Sequence, residues 1–360
     1  MEDHKAILID ILSRAVNAEA SDIFMIPGVG CSMKIKGRIS ATEQDRGISI
    51  ADMRSMITEI YAMAGGRSMA RVEESGDDDF SFAVADLSRF RVSVFKQRGS
   101  LACVIRVVSF SLPDYTKLHI PAEVMNVAKF KKGLVLVTGA AGSGKSTTLA
   151  CIIDEINKTR NAHIITLEDP IEFLHRHNKS IVTQREIVTD TEDYVSALRA
   201  ALRQAPDVIL LGELRDFETI RTAMTAAETG HLVISTLHTI GAANTIDRVV
   251  DAFPENQQNQ IRVQLSMVLR AVISQQLIPC EDENTRPAFE IMNLNSAIQN
   301  MIRENKIHQI DSVIASGKEE GMVMMDNSIV DMVRAGQISR ETAVMYASNK
   351  ELMLKRLEKI

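Results

Sequence analysis

Residues 139–146 read Gly-Ala-Ala-Gly-Ser-Gly-Lys-Ser, set between an apolar run, Leu134 to Val137, and a helical stretch that begins at Thr147. A strand that turns through glycines into a helix is the context in which this spacing acquires a mechanism. Glycines let backbone N–H groups curl around phosphate oxygens, and the positive end of the following helix faces the same point. The loop so defined comprises Gly139, Ala140, Ala141, Gly142, Ser143, Gly144, Lys145, Ser146 and Thr147. Lys145 is expected to reach the β- and γ-phosphates, and the Ser146 hydroxyl to sit on Mg²⁺. The expected ligands are therefore ATP and Mg²⁺.

At 360 residues the chain exceeds one ordinary core, so two domains are expected. A net charge of −6 argues against nucleic acid as a partner. Cys31, Cys103, Cys151 and Cys280 stand singly, which suits neither a zinc site nor a disulfide framework and points to a reducing cytoplasm. No apolar run approaches a membrane span, and the first residues lack the layout of a signal peptide.

Apolar residues at Ile7, Leu8, Ile11, Leu12, Ala15 and Val16 form one stripe of a helix. Residues 89–95 alternate, and a turn cluster at Gln97–Ser100 separates them from Ala102–Val108. These runs predict a hairpin closing a small α+β domain over 1–110. Residues 111–121, with two prolines, read as a linker. From 122 to 360 strands alternate with helices, the pattern of an open parallel sheet. The predicted strands are Leu134–Thr138, His163–Leu167, Val208–Leu211 and Leu232–Thr236, and each runs directly into polar chemistry. Ligands in such sheets bind beyond the carboxyl ends of the strands. From about 255 onward the pattern reads as helical.

The metal's protein carboxylate is expected at the end of the strand neighbouring that of the phosphate loop. The candidate strand ends Leu211-Gly212-Glu213, which leaves Glu213 beside Mg²⁺, unless Arg215 simply neutralises it. Either Glu168 or Glu172 is the right chemical type to orient the attacking water, and spacing does not choose between them. His238 follows the fourth strand and can approach the γ-phosphate. His231 precedes it and must act elsewhere, because seven extended residues span roughly 23 Å. A hairpin turn centred between Arg98 and Gly99 places Arg91 opposite Arg106. Two facing cations are destabilising unless an anion lies near them. This pair is expected to supply charge to a γ-phosphate in a neighbouring subunit.

Together these segments resemble the type IV pilus retraction ATPases, the PilT-type twitching-motility motors of the secretion ATPase superfamily. The likeness runs through Ala20-Ser21-Asp22, Arg89–Val92, the phosphate loop, Ile165–Phe173, Gln184-Arg185-Glu186, Pro206–Asp216 and Ala226–Thr239. It implies a PAS-like N-terminal domain, a RecA-like P-loop ATPase domain with a helical C-terminal part, and a homohexameric ring. It also implies that Glu172 is the catalytic base, that Arg91 and Arg106 approach nucleotide, and that Arg203 is a further sensor. The implied partners are an inner-membrane pilus platform protein and a paralogous pilus ATPase, and the implied location is the cytoplasmic face of the membrane at the pilus base. Residues 297–304 are similar to the family's retraction motif, with two substitutions, and imply a role in motor output. Gln204-Ala205-Pro206-Asp207 instead resembles the accessory paralogue.

Overall fold

The computed structural model describes residues 4–35, 37–41, 47–108, 112–282 and 284–359. The chain forms two compact units. One comprises Met1–Ser111 with Glu172–Leu174, the other Leu112–Ile171 with His175–Ile360.

The first unit is an antiparallel sheet of β1 (Asp22–Met25), β2 (Ser32–Ile35), β3 (Arg38–Ala41), β4 (Asp77–Val84), β5 (Ser88–Gln97) and β6 (Ser100–Val108). Its order is β3-β2-β1-β6-β5-β4. The helices His4–Asn17 and Ile50–Met63 bury Leu8, Ile11, Leu12, Met53, Ile57 and Ile60 in a core with Phe90, Val92, Val94 and Ile105. Alternation along β5 then turns Arg91 to the opposite face. The β5–β6 turn has positive φ at both Arg98 (48°) and Gly99 (79°), the twist that a two-residue hairpin requires. It fixes the register, with Gln97 opposite Ser100 and Arg91 opposite Arg106. The anion expected near this pair is internal. Asp22 of β1 lies opposite Arg106 on its other side and takes its Nε at 3.1 Å.

The second unit is built on β7 (Gly133–Thr138), β8 (His163–Glu168), β9 (Ile181–Glu186), β10 (Val208–Leu211), β11 (Leu232–Leu237), β12 (Leu269–Pro279) and β13 (Thr285–Asn293). The order is β13-β12-β7-β11-β10-β8-β9, parallel except for the β12–β13 pair. β7, β10 and β11 are buried along their whole length, as strands covered on both faces must be.

Three expectations need correction here. The region beyond 255 is not helical throughout: the helix Glu255–Val268 passes without a break into β12, whose first residue, Leu269, turns to ψ 140°. No glycine or proline marks the change, and a buried apolar run does not by its period separate strand from helix. β10 does not neighbour β7, because β11 lies between them. Finally, residues 112–121 are not a free linker. They belong to the second unit, with Ile120 in its core and Tyr115 and Leu118 packed against it.

The helix Phe217–Glu228, which follows the loop after β10, starts at Asp216, whose carboxylate accepts from Thr219 N at 2.8 Å. Asp216→Ala is expected to cost about 1 kcal/mol, the usual worth of an N-cap, seen as a lower urea midpoint for the second unit.

Candidate nucleotide-hydrolysis site

The parallel topology carries the ends of β7, β8, β10 and β11 to one edge of the sheet. The phosphate loop leaves β7 there and enters the helix Lys145–Thr159 through Gly144 in the left-handed conformation (φ 86°). Lys145 is almost fully buried, and its Nζ donates to the carbonyls of Gly139 (2.8 Å) and Ala140 (2.9 Å). The ammonium is thus folded back over the mouth of its own loop. Two buried hydroxyls at the loop, Thr138 Oγ1 and Ser143 Oγ, have no hydrogen-bond partner among the described residues. Buried polar atoms are normally satisfied, so this pair fits a ligand rich in acceptor oxygens. A cavity of about 470 Å³ adjoins the loop, lined in part by Leu118, His119, Thr147, Gln275 and Arg286.

Glu213 stands two residues past the end of β10. His238, past the end of β11, meets Glu213 Oε2 through Nε2 at 3.0 Å, and Arg215 Nε donates to Oε1. Arg215 also approaches Asp169, 3.8 Å away. Burial alone would push the Glu213 carboxyl upward, but the hydrogen bonds from His238 and Arg215 outweigh it and hold the group below the ordinary carboxylate range. The side chain is therefore a firmly ionised carboxylate. The pairing with Arg215 is present, and Glu213 stands at the sheet edge from which the phosphate loop leaves.

Gly212, directly after β10, has no room for a side chain. A Cβ there would lie 2.5 Å from the Tyr194 hydroxyl and 3.4 Å from the Leu167 carbonyl. Burial, then the charges of Asp169 and Glu213, push the Tyr194 phenol well above its usual range, so it stays a neutral hydroxyl. The carboxylate accordingly falls one residue later.

Glu168 is tied down by Thr166 Oγ1 at 2.6 Å and Gln184 Nε2 at 3.2 Å. Glu172 is exposed and groups with the first unit, as do Arg91 and Arg106. His231 sits at the amino end of β11, its Nδ1 2.9 Å from the Ala226 carbonyl, on the edge away from the phosphate loop. Arg203 is on that far edge too. It precedes β10, its Nη1 bonds the Arg199 carbonyl at 3.0 Å, and the next two carbonyls, Gln204 and Ala205, face His163 at the start of β8. Within its own unit Arg203 is thus separated from the phosphate loop by the length of the strands.

One residue that touches the loop escaped the reading of the sequence. Gln275 gave no signal, because β12 was taken for helix. Its side chain bonds both Ser143 and Thr148 of the loop and its helix.

A model of the type II/IV secretion system protein family matches residues 3–357. The chain is 50% identical over 276 residues to a twitching motility protein of Neisseria gonorrhoeae, covering 76% of this chain and 74% of that protein. It is 42% identical over 336 residues to the type IV pilus retraction ATPase PilT of Pseudomonas aeruginosa, covering 93% and 96% of the two. A crystal structure of the pilus retraction motor PilT with bound ADP superposes with a TM-score of 0.87 at 42% identity, covering 98% of this chain and 99% of the other. The fold is the one expected, an N-terminal sheet domain followed by a RecA-like parallel-sheet ATPase domain. The chain belongs to the type II/IV secretion system protein family, among its pilus-retraction ATPases.

Proposed function

We propose that the chain is a ring-forming, Mg²⁺-dependent ATP-hydrolysing motor that drives pilus retraction. The observation that carries this is the edge of the second sheet, where the phosphate loop, with two unsatisfied buried hydroxyls, and the ionised Glu213, bonded to His238, follow strands of one sheet. Phosphoryl transfer asks a protein mainly for positioning and charge, and this edge supplies both.

In this reading Ser146 and Glu213 would hold Mg²⁺, which would supply positive charge to the phosphates. Lys145 turns from its own carbonyls to the phosphates. Glu172 orients the attacking water. His238, aimed through Glu213, approaches the γ-phosphate. Arg203 faces away from its own nucleotide, so any contact it makes with phosphate is with a neighbour's; Arg91 and Arg106 are assigned the same part. Head-to-tail contacts that close into a ring, here a homohexamer, place such residues at the next subunit's site.

Force would pass to an inner-membrane platform protein at the pilus base, on the cytoplasmic face; a paralogous ATPase is a second proposed partner. Among the described residues no helix is long and apolar enough to cross a membrane, which fits a peripheral attachment. In the helix Ser296–Arg303, Ile298 and Ile302 are buried while Ala297, Asn300 and Arg303 are exposed. That outer face of the retraction-like motif is available for motor output.

ATP turnover per subunit is expected to climb with protein concentration and then level off, as sites are completed between neighbours. Phosphate release measured across a wide dilution series checks this. Substantial activity that stays flat on dilution would remove the role given to Arg91, Arg106 and Arg203 in a neighbour's site.

A further inference from the structure

Gln275 is 1% exposed, deep in β12, and it touches the phosphate loop at two places and the helix after it at a third. Its backbone carbonyl lies where a Cβ on Gly139 would be, 2.3 Å away, so it closes over the first residue of the loop. Its Nε2 donates to the Ser143 carbonyl, and its Oε1 accepts from Thr148 Oγ1 at 2.8 Å. The amide orientation follows from chemistry: a carbonyl only accepts, so the NH₂ end must face Ser143. The residue before it, Ser274, points to the other face of the sheet, where its hydroxyl accepts from Gly241 N in the loop that follows His238.

We infer that Gln275 is a positioning residue that holds the phosphate loop in its nucleotide-binding form. The argument is geometric. In a planar trans peptide the carbonyl and the following N–H point in opposite directions. Fixing the Ser143 carbonyl toward β12 therefore aims the Gly144 N–H away from β12. The bond from Thr148 pins the first turn of the helix to the same amide, so loop and helix cannot shift separately. Preorganisation of this kind lowers the ordering cost paid when a ligand binds. No other residue type serves equally. Leucine fills the volume without either bond, and glutamate would set a carboxylate against the Ser143 carbonyl and add negative charge beside the phosphates.

The inference rests on the reading of this loop as the nucleotide site, so the wild-type affinity for MgADP is measured alongside the variants. Gln275→Leu, Gln275→Glu, Thr148→Val and the Gln275→Leu/Thr148→Val pair are made in the full chain. They are compared by calorimetric titration with MgADP, by steady-state ATP hydrolysis and by thermal midpoint. Gln275→Leu and Thr148→Val are each expected to weaken MgADP by about tenfold, the scale of one or two hydrogen bonds. The double variant is expected to be little weaker than Gln275→Leu alone, since that change already removes the bond from Thr148, and Gln275→Glu weaker than Gln275→Leu. KM for ATP should rise in parallel, with kcat at saturation within about threefold of wild type, the signature of lost uniform binding. Lower thermal midpoints with unchanged MgADP affinity and KM would reduce Gln275 to a packing residue and overturn the inference. Should Gln275→Leu fail to fold, the near-isosteric Thr148→Val alone decides by the same criterion. A wild-type chain that takes no MgADP would instead overturn the nucleotide reading, and the clamp with it.

Discussion

Replacing Lys145 by alanine is expected to weaken MgATP binding by about 100-fold or more and to abolish turnover. Charge-assisted hydrogen bonds run to about 1.5–3 kcal/mol each, and a phosphate-loop ammonium shared between the β- and γ-phosphates makes more than one. In the structure the same ammonium donates to the carbonyls of Gly139 and Ala140, which are neutral acceptors. Its removal therefore changes the ligand-bound state far more than the free one. Titration calorimetry and phosphate release should show the loss, while the far-ultraviolet circular dichroism and the thermal midpoint stay close to wild type. Tight binding retained by Lys145→Ala would mean that backbone N–H groups alone carry the phosphates.

The second large effect is expected at Glu213. Glu213→Gln should lower kcat by about 100-fold or more, the usual scale for losing a charge or dipole placed at the reacting group. Two donors, His238 Nε2 and Arg215 Nε, converge on the carboxylate, and an amide cannot accept from both through separate oxygens. The pH dependence follows from the lowered pKa. A carboxylate whose folded-state value is depressed keeps its ionised contribution above the ordinary 4.5 and loses it only as pH falls through the lower value. Any decline in wild-type kcat between pH 6 and pH 5 therefore comes from another group. A kcat profile for Glu213→Gln should be displaced downward without a change of shape above pH 5; a changed shape there would mean that Glu213 itself titrates in that range.

Local chemistry was legible in the sequence; adjacency was much less so. The phosphate loop could be read because glycine spacing and the flanking strand and helix are consecutive in the chain. The pairing of Arg91 with Arg106 could be read because a two-residue turn sets the register of everything beyond it. That register also hid something: the carboxylate that takes Arg106 is Asp22, 84 residues away on another strand, which no turn could announce. The order of a parallel sheet is equally silent, since each crossover can land on either side of its neighbours. Hence β10 was expected beside β7, and β11 was found between them. Gln275 was lost for a different reason. A buried strand that continues straight from a helix carries no punctuation and no alternation, so the residue gripping the phosphate loop sat in what read as helix. Arg203 shows the converse, because its position ahead of β10 sets it on the edge away from the loop, and strand direction alone would have said so.

The contact between Gly212 and Tyr194 also bears on how this site could change by mutation. A side chain at position 212 collides with a phenol that is itself packed beside the main core of the second unit. An aspartate at 212 enters only if that hydroxyl gives way. The tyrosine would first have to shrink or move, and losing it opens a gap before anything is gained. Side chains at the two positions are therefore coupled: the room at 212 is set by where the phenol of Tyr194 stands.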